Sequence, residues 1–344
     1  MRHPRPTLAV SLLLSGLLAL TACGSTTSTS GTEESGARLA SVDTMFGTVE
    51  IPEPRDGDLT VVALGWSDAE TALAFGTKPV AVYDWLAFGK DGKGVGPWAE
   101  DLYGDVTPEI IKDQGDSVNY EQIQALEPDL ILNTRSGNDE KQFERLSEIA
   151  PTVYAPEGTA PFATNWRVQT QLVADALGKS DEGRERIAEV EATIEDAAGE
   201  HPEFQGLTAV SGTKFGEAYG AYISGDARWD LLEELGFTQK PQVLEREPNG
   251  FYVDISAEQV ETLDADVTVL FPIGYTLEDL RDDELIQSLS SVKEDRAVLL
   301  GESRGESARD AGALSQAFSA TSILSIPVAL EGIVPRLAEA AANN

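Results

Sequence analysis

Short apolar runs alternate with amphipathic segments from about position 54 to the end of the chain. Runs rich in β-branched residues predict buried strands, and apolar residues spaced by three or four positions predict helices. Such alternation is typical of layered α/β proteins. The predicted strands are 59–64, 79–82, 130–132, 152–154, 207–211, 221–224, 267–271 and 297–300. The predicted helices are 67–76, 120–126, 141–149, 181–200, 229–235 and 325–341.

The entry to the first helix has the spacing of a capping box. Ser67 stands three positions before Glu70, with two residues between it and the end of the first predicted strand. In a capping box, the serine and the glutamate each satisfy a backbone N–H of the first turn. We therefore expect the helix to begin at Ser67 through these two side chains.

One ten-residue segment occurs twice. Residues 121–130 align without gaps to residues 258–267, and both copies predict a helix, a turn with a carboxylate and a buried strand. The separation is too long for a solenoid repeat and suits two similar lobes. Chance similarity between two helix–strand junctions is the alternative.

A long amphipathic helix is predicted between the two copies. Ile187, Val190 and Ile194 share one face of residues 181–200, and charged side chains occupy the other. Twenty residues in a helix span roughly 30 Å, which is long enough to connect two lobes. Periodicity alone equally allows a surface helix that belongs to one lobe.

The N-terminus has the pattern of a secretory signal. Basic residues precede an apolar stretch over 8–20, which is shorter than the roughly 20 residues of a membrane-spanning helix. The chain's single cysteine, Cys23, follows directly in Leu-Thr-Ala-Cys, which resembles the lipobox of bacterial lipoproteins. We predict a signal peptide over 1–22, lipidation of Cys23 and a flexible tether over 23–53. The N-terminal lobe is then 54–180, the connecting helix 181–202 and the C-terminal lobe 203–344.

Composition removes several classes of function. With 59 acidic and 25 basic residues, the formal net charge of the 344-residue chain is −34. Nucleic-acid affinity depends on lysine and arginine displacing counterions, so binding to DNA or RNA is excluded. A hydrophobic fraction of 41% is ample for folded lobes.

Catalytic chemistry is also poorly supported. The two histidines are His3, in the signal peptide, and His201, so neither a histidine-based metal site nor a Ser-His-Asp or Cys-His system can form. We therefore predict a protein that is not an enzyme and has no metal or cofactor of its own. A lipid-anchored hydrolase that uses only carboxylates is the alternative from a different class.

Aromatic side chains follow several predicted strands. In open α/β sheets, ligands bind outside the carboxyl ends of the strands, and an aromatic cleft suits a bulky organic ligand. The basic residues best placed to reach such a cleft are Arg135, Arg304 and Arg309, and Arg135 and Arg304 are the basic candidates for ligand binding. The aromatic candidates for ligand binding are Trp66, Tyr83, Trp85, Trp166, Tyr219 and Tyr275.

Several segments together resemble the class III substrate-binding lipoproteins of ABC importers for ferric siderophores and cobalamin. They occur in the family's order across about 54–340. The segments are 61–70, 76–80, 120–132, 146–153 and 324–330. The resemblance implies two Rossmann-like lobes joined by a long rigid helix, with the ligand in the cleft between them.

The resemblance also implies partners and a location. Such a protein is an exported monomer, held at the outer face of the membrane by its lipid, and it delivers its ligand to a permease driven by a cytoplasmic ATPase. A surface glutamate on each lobe docks onto arginines of the permease. Glu70 matches the first by its position, and Glu233 or Glu234 is the candidate in the second lobe.

The identity of the ligand follows less directly. Ferric catecholates are strongly anionic, whereas ferric hydroxamates are neutral or cationic, so the negative charge of the chain favours a hydroxamate. Iron would then enter only as part of the bound complex. Some hydroxamate binders use an arginine where this chain has residues 115–118 and no arginine. Catecholate, ferric citrate, heme and cobalamin remain as alternatives.

Overall fold

The computed structural model describes residues 37–54, 57–111, 118–303 and 313–344. Cys23 and the signal peptide lie outside these residues. The strands are β1 Arg38–Thr44, β2 Gly47–Pro52, β3 Val61–Ala63, β4 Ala81–Tyr83, β5 Glu109–Ile111, β6 Leu130–Asn133, β7 Thr152–Tyr154, β8 Thr208–Phe215, β9 Ala218–Tyr222, β10 Thr238–Gln239, β11 Pro248–Asn249, β12 Tyr252–Ile255, β13 Val267–Ile273 and β14 Ala297–Leu299.

Helices alternate with these strands, as the sequence pattern predicts. The α-helices are α1 Asp68–Ala74, α2 Pro97–Glu100, α3 Tyr120–Ala125, α4 Glu140–Ser147, α5 Trp166–Ala176, α6 Ser180–Glu200, α7 Ala227–Glu234, α8 Pro241–Leu244, α9 Leu277–Arg281, α10 Glu284–Ser288, α11 Ser290–Lys293, α12 Leu314–Ala320 and α13 Ser325–Ala342.

The first lobe is built on a parallel sheet in the order β5-β4-β3-β6-β7. Successive residues of a strand point to opposite faces, and both faces of this sheet are covered. On one face, Val61 and Leu130 pack with α5, and on the other, Val62 and Ile131 pack with α3 and α4. Burial on both sides explains why these strands are continuous apolar runs.

A β-hairpin, β1–β2, precedes this sheet and packs on it. Val42 and Ile51 are buried against the first lobe, and the Met45 N–H donates to the Ala155 carbonyl at 2.8 Å. The predicted flexible tether over 23–53 is therefore wrong for Arg38–Pro52. The Ser/Thr/Gly-rich composition that indicates a tether is confined to residues 25–36, and along β1 and β2 exposed polar residues alternate with buried ones.

The second lobe has a mixed sheet in the order β11-β12-β9-β8-β13-β14, with β10 also paired to β8. Its centre is parallel, because β13 pairs in parallel with both β8 and β14. Strands β9, β11 and β12 run antiparallel to their neighbours. The two-lobed α/β prediction is confirmed, although the second sheet is not purely parallel.

The two copies of the repeated segment occupy equivalent places in the lobes. Asp129, before β6, accepts a hydrogen bond from Thr60 N–H at 2.9 Å, and Asp266, before β13, accepts one from Thr208 N–H at 2.8 Å. Each carboxylate thus satisfies the backbone at the start of the neighbouring parallel strand. The second copy begins as the 3₁₀ helix Ala257–Leu263.

Helix α6 connects the lobes. Its residues Val190 and Ile194 are buried in the core of the second lobe, where the helix contacts α7 and α13, and it also packs against α5 of the first lobe. Arg167 of α5 binds both Glu191 of α6, at 2.5 Å, and Glu234 of α7, at 2.8 Å. The prediction of a long helix between two lobes is confirmed.

Candidate ligand-binding cleft

A cavity of about 410 Å³ lies between the lobes. It opens at the carboxyl ends of β3 and β4 in the first lobe and of β13 in the second, where open α/β sheets bind ligands. Helices α7 and α12 complete the second wall. The lining residues are Trp66, Trp85, Leu86, Ala87, Tyr222, Arg228, Phe251, Phe271, Pro272, Ile273, Glu302, Ser315, Gln316 and Ser319.

Two stacked indoles line the wall on the first lobe, and a third ring packs on them from outside the cavity lining. The ring centroids of Trp66 and Trp85 are 4.4 Å apart and the planes are nearly parallel, at 6°. Phe162 stacks on Trp66 as well, with a centroid distance of 4.4 Å. Trp66 and Trp85 line the cavity, so this wall is aromatic and apolar, and the two faces of the Trp66 ring are covered by its stacking partners.

The position of Trp66 is fixed through its backbone. Its N–H donates to the Arg135 carbonyl at 2.9 Å, and its carbonyl accepts from Gln169 Nε2 at 2.7 Å. The same Gln169 amide donates to Asp68 Oδ1 at 2.7 Å. The Gln169 side chain and the Arg135 carbonyl thus hold the loop after β3 in one conformation.

Asp68 is the centre of this buried network. Its Oδ2 accepts hydrogen bonds from the backbone N–H groups of Thr134, at 2.9 Å, and Gly65, at 3.1 Å. Burial raises the pKa of Asp68, although these hydrogen bonds oppose the shift. A Cβ at Gly65 would collide with Asp68 Oδ2 and the Arg135 N–H, so only glycine allows this close approach.

The wall on the second lobe carries a guanidinium group among aromatic rings. Arg228 Cζ lies 3.7 Å from the ring centroid of Tyr222 and within 6 Å of Phe251 and Phe271. Arg228 also donates from Nε and Nη2 to the two carboxylate oxygens of Asp226, at 2.8 and 2.6 Å. Burial alone would lower the pKa of Arg228, but the attraction of Asp226 outweighs it and raises the pKa.

Arg228 and Asp226 therefore form a neutral pair. Within the described residues, Nη1 of Arg228 donates no hydrogen bond, so it can bond an oxygen of a ligand. Glu302 also lines the cavity, and Gln316 donates to its carboxylate. The described lining thus has no uncompensated positive charge.

Comparison with known proteins identifies the family. The sequence profile of the periplasmic binding proteins matches residues 61–303. This chain belongs to that family.

Individual binding proteins are similar over most of the chain. The probable siderophore-binding lipoprotein YfiY of Bacillus subtilis is 31% identical over 285 residues, which is 79% of this chain and 80% of YfiY. A periplasmic solute binding protein of Mycobacterium smegmatis is 29% identical with a TM-score of 0.73 and covers 88% of this chain and 98% of its own. Streptococcus pneumoniae PiaA in complex with ferrichrome is 27% identical with a TM-score of 0.70, covering 88% and 99%.

These similarities confirm the family resemblance, the two-lobed fold and the assignment as a binding protein instead of an enzyme. Within the described residues, no cluster of three or more His, Cys, Asp or Glu side chains has metal-binding geometry. In the same part of the chain, no helix combines the length and the hydrophobicity that crossing a bilayer requires.

Two of the eight ligand-binding candidates of this binding protein line the cavity, Trp66 and Trp85. Arg135 is 1% exposed and lies behind Trp66, with its Cζ 5.9 Å from the ring centroid. It donates to the carbonyls of Phe162, at 3.2 Å, and Ala320, at 2.9 Å. Burial lowers its pKa to about 10, so Arg135 stays charged at neutral pH.

The other aromatic candidates are placed elsewhere. Trp166 is 4% exposed and belongs to the core, and Tyr83, which ends β4, does not line the cavity. Tyr219 is buried on the opposite face of the second sheet, where its hydroxyl donates to Asp283 at 2.7 Å. Tyr275 is exposed near Lys214, outside the cavity lining. Arg304 and Arg309 lie outside the described residues.

The predicted docking residue Glu70 is not on the surface. It is 3% exposed, accepts from Ser322 Oγ at 2.6 Å, and its pKa is raised by burial. The predicted capping box is also wrong, because Ser67 adopts a left-handed φ of 62° and donates to Ala320 instead. Glu234 is held by Arg167, whereas Glu233 is exposed.

The sequence reasoning missed most of the second wall. Phe271 ends a predicted strand, so the rule that located Trp66 would also have located it, whereas Tyr222 lies inside the predicted strand 221–224 and ends β9 only in the structure. Arg228 lies inside a helix, where an arginine is normally expected to be exposed to solvent. Its acidic neighbour Asp226, two residues before it, was the available signal for a buried pair.

Proposed function

We propose that this binding protein captures a ferric siderophore of the hydroxamate type in the cleft and delivers it to an ABC permease for iron uptake. The observation that carries the proposal is the composition of the cavity. Stacked indoles form one wall, and the other holds an arginine that Asp226 already neutralises. The aromatic surfaces suit the bulky organic shell of the complex.

Charge favours the hydroxamate class. A ferric catecholate is strongly anionic and needs several unpaired cations, whereas a ferric hydroxamate is neutral or cationic. Among the described lining residues the only cation is Arg228, and Glu302 adds a carboxylate. Arg228 Nη1 is then suited to one oxygen of the iron-binding groups, and the rings take the remaining surface.

Relatives support the same class of ligand. YfiY is named a probable siderophore-binding lipoprotein, and PiaA, an iron uptake ABC transporter substrate-binding protein, was crystallised with ferrichrome, a ferric hydroxamate. Iron enters only as part of the complex, and the protein contributes no ligand to it. Export, lipidation of Cys23 and action as a monomer at the outer face of the membrane complete the proposal.

Docking to the permease is assigned to a different pair of glutamates from the one expected. Because Glu70 is buried, it cannot reach a partner. Glu121 and Glu258 occupy the same position in the repeated segment, one in each lobe, and both are exposed. We propose that they are the surface glutamates whose charge the permease recognises.

Titration with candidate ligands tests the binding proposal. The full chain in detergent is titrated with ferrichrome, ferrioxamine B, ferric enterobactin, ferric citrate, heme and cobalamin, while tryptophan fluorescence is recorded. We expect saturable quenching by the two hydroxamates, because Trp66 and Trp85 contact the cavity. Saturable binding of enterobactin, citrate, heme or cobalamin in their place would overturn the hydroxamate assignment.

A further inference from the structure

Three side chains of the first lobe converge on one short segment of the second. Ser67 Oγ and Arg135 Nη1 both donate to the Ala320 carbonyl, at 3.1 and 2.9 Å. Two residues later, Ser322 Oγ donates to Glu70 Oε2 at 2.6 Å. All five residues are at most 4% exposed, so these hydrogen bonds between the lobes are shielded from water.

The segment held by these hydrogen bonds, residues 320–322, comes at the end of a helix that lines the cavity. Ala320 is the last residue of α12, and the same helix presents Gln316 and Ser319 to the cavity. Thr321 adopts a φ of 40°, in the left-handed region that β-branched residues rarely occupy. Such a backbone needs surrounding contacts to persist, and the first lobe supplies them.

The other wall is tied to two of these side chains, Ser67 and Arg135. Ser67 directly follows Trp66, and the Arg135 carbonyl accepts from the Trp66 N–H. Arg135 Nε also donates to the carbonyl of Phe162, whose ring stacks on Trp66. The Arg135 guanidinium therefore binds both the Phe162 carbonyl, next to the ring that stacks on Trp66, and the Ala320 carbonyl at the end of α12.

We infer that Ser67, Glu70 and Arg135 form a clamp that fixes the width of the cleft before any ligand binds. These are positioning residues, since Arg135 and Glu70 lie outside the cavity lining and act through Ala320 and Ser322. The inference deepens the proposed function and rests on it for the effect on affinity. When only a fraction of the molecules has a cleft of the width that binds ligand, the apparent affinity falls by that fraction. A cleft that already has this width avoids the loss.

Distance measurements between the lobes test the clamp. Spin labels are placed at Glu121→Cys and Glu258→Cys in the full chain, in detergent, with Cys23→Ser removing the natural thiol. We expect a narrow distance distribution without ligand. Arg135→Lys should broaden it, because one ammonium group cannot reproduce the guanidinium fork that reaches two carbonyls. Ser322→Ala, a smaller change, should broaden it less.

The affinity for ferrichrome provides a second measurement. If about a tenth of the Arg135→Lys molecules keep the competent width, the apparent dissociation constant rises about tenfold, and bound ferrichrome narrows the distances again. Arg296→Lys is the matched control. Arg296 is a buried arginine that donates to the carbonyls of Ala265 and Asp266 within the second lobe. Arg296→Lys should lower the free energy of unfolding and leave the distribution of label distances narrow.

An unchanged distance distribution in both Arg135→Lys and Ser322→Ala would overturn the clamp, and so would equal broadening in Arg296→Lys. The two proposals fail separately. If the unmodified protein does not bind ferrichrome, the proposed ligand is wrong, but the label distances, recorded without ligand, still decide whether the clamp sets the cleft.

Discussion

At the scale of single residues, two tryptophans that look alike in the sequence have different environments. Trp66 is half-buried and faces the cavity, where Trp85 stacks on it. Trp166 is 4% exposed, packs in the core, and lies beneath the guanidinium of Arg167 at 4.4 Å. We therefore expect the first to contribute to binding and the second to stability.

Alanine substitutions should separate these roles. Trp66→Ala removes a ring of the binding surface, and we expect the affinity for ferrichrome to fall about tenfold, as for the loss of one aromatic contact. Trp166→Ala leaves a cavity in the core and should lower the free energy of unfolding by about 3–5 kcal/mol. Fluorescence titration and urea unfolding measure the two effects. Equal affinity in Trp66→Ala and the unmodified protein would contradict the cleft assignment.

The sequence predicts such residues only when their position in a strand decides their role. Trp66 and Trp85 follow predicted strands, and the rule that ligands bind at strand ends was sufficient to find them. Glu70 was assigned to the surface from its place in a short helix. Its burial depends on Ser322, 252 positions away, and no local pattern reports that contact.

At the scale of elements, α7 brings several carboxylates together beside the cleft. Asp226 precedes the helix, and Asp230, Glu233 and Glu234 follow within it. Burial, and to a lesser extent the negative charge of Asp226 and its neighbours, raises the pKa of Asp230 to about 6, although the Gly225 N–H opposes the shift. At neutral pH this carboxylate is thus charged in an environment that favours its neutral form.

Asp230→Asn should stabilise the protein in a pH-dependent way. The raised pKa means that the folded state binds the proton more tightly than the unfolded state, whose pKa is about 3.9. Protonated Asp230 contributes its full share to the free energy of unfolding below about pH 4, and this contribution is lost as the pH rises through about 6. We expect the variant to gain about 1 kcal/mol at pH 7.5, after allowance for solvent screening, and nothing at pH 4. Thermal unfolding at both pH values measures this.

The exposed Glu233 on the same helix supplies the control. Glu233→Gln removes a carboxylate that water already solvates, so its effect on the melting temperature should be small at both pH values. A gain for Asp230→Asn that is equal at pH 4 and pH 7.5 would show that the amide acts by packing and not through the proton.

Elements with strong periodicity were predicted well, and those defined by their partners were not. Helix α6 was found within two residues of its ends, because Ile187, Val190 and Ile194 recur at helical spacing. The hairpin β1–β2 was missed, since it is stable only through its packing on the first lobe. Strand β5 was missed for a related reason, being three residues long at the edge of a sheet.

At the scale of the whole molecule, the two lobes present matching acidic positions. The repeated segment places Glu121 at the start of α3 and Glu258 in the equivalent 3₁₀ helix. The alignment of the two copies came from the sequence alone. Their structural equivalence is supported by Asp129 and Asp266, which cap neighbouring strands in the same way.

Charge reversal at both positions tests the docking proposal. Glu121→Arg with Glu258→Arg should leave ferrichrome binding in solution unchanged, because both side chains are exposed and neither lines the cavity. Iron uptake by cells should fall by at least about tenfold, since repulsion replaces attraction at two contacts with a basic permease surface. Glu233→Arg changes the charge of the second lobe at an exposed site outside the repeat and should retain uptake. Full uptake by the double variant would show that other carboxylates bind the permease. Loss of uptake in Glu233→Arg alone would show that the permease recognises the net charge of the lobe and not the matched pair.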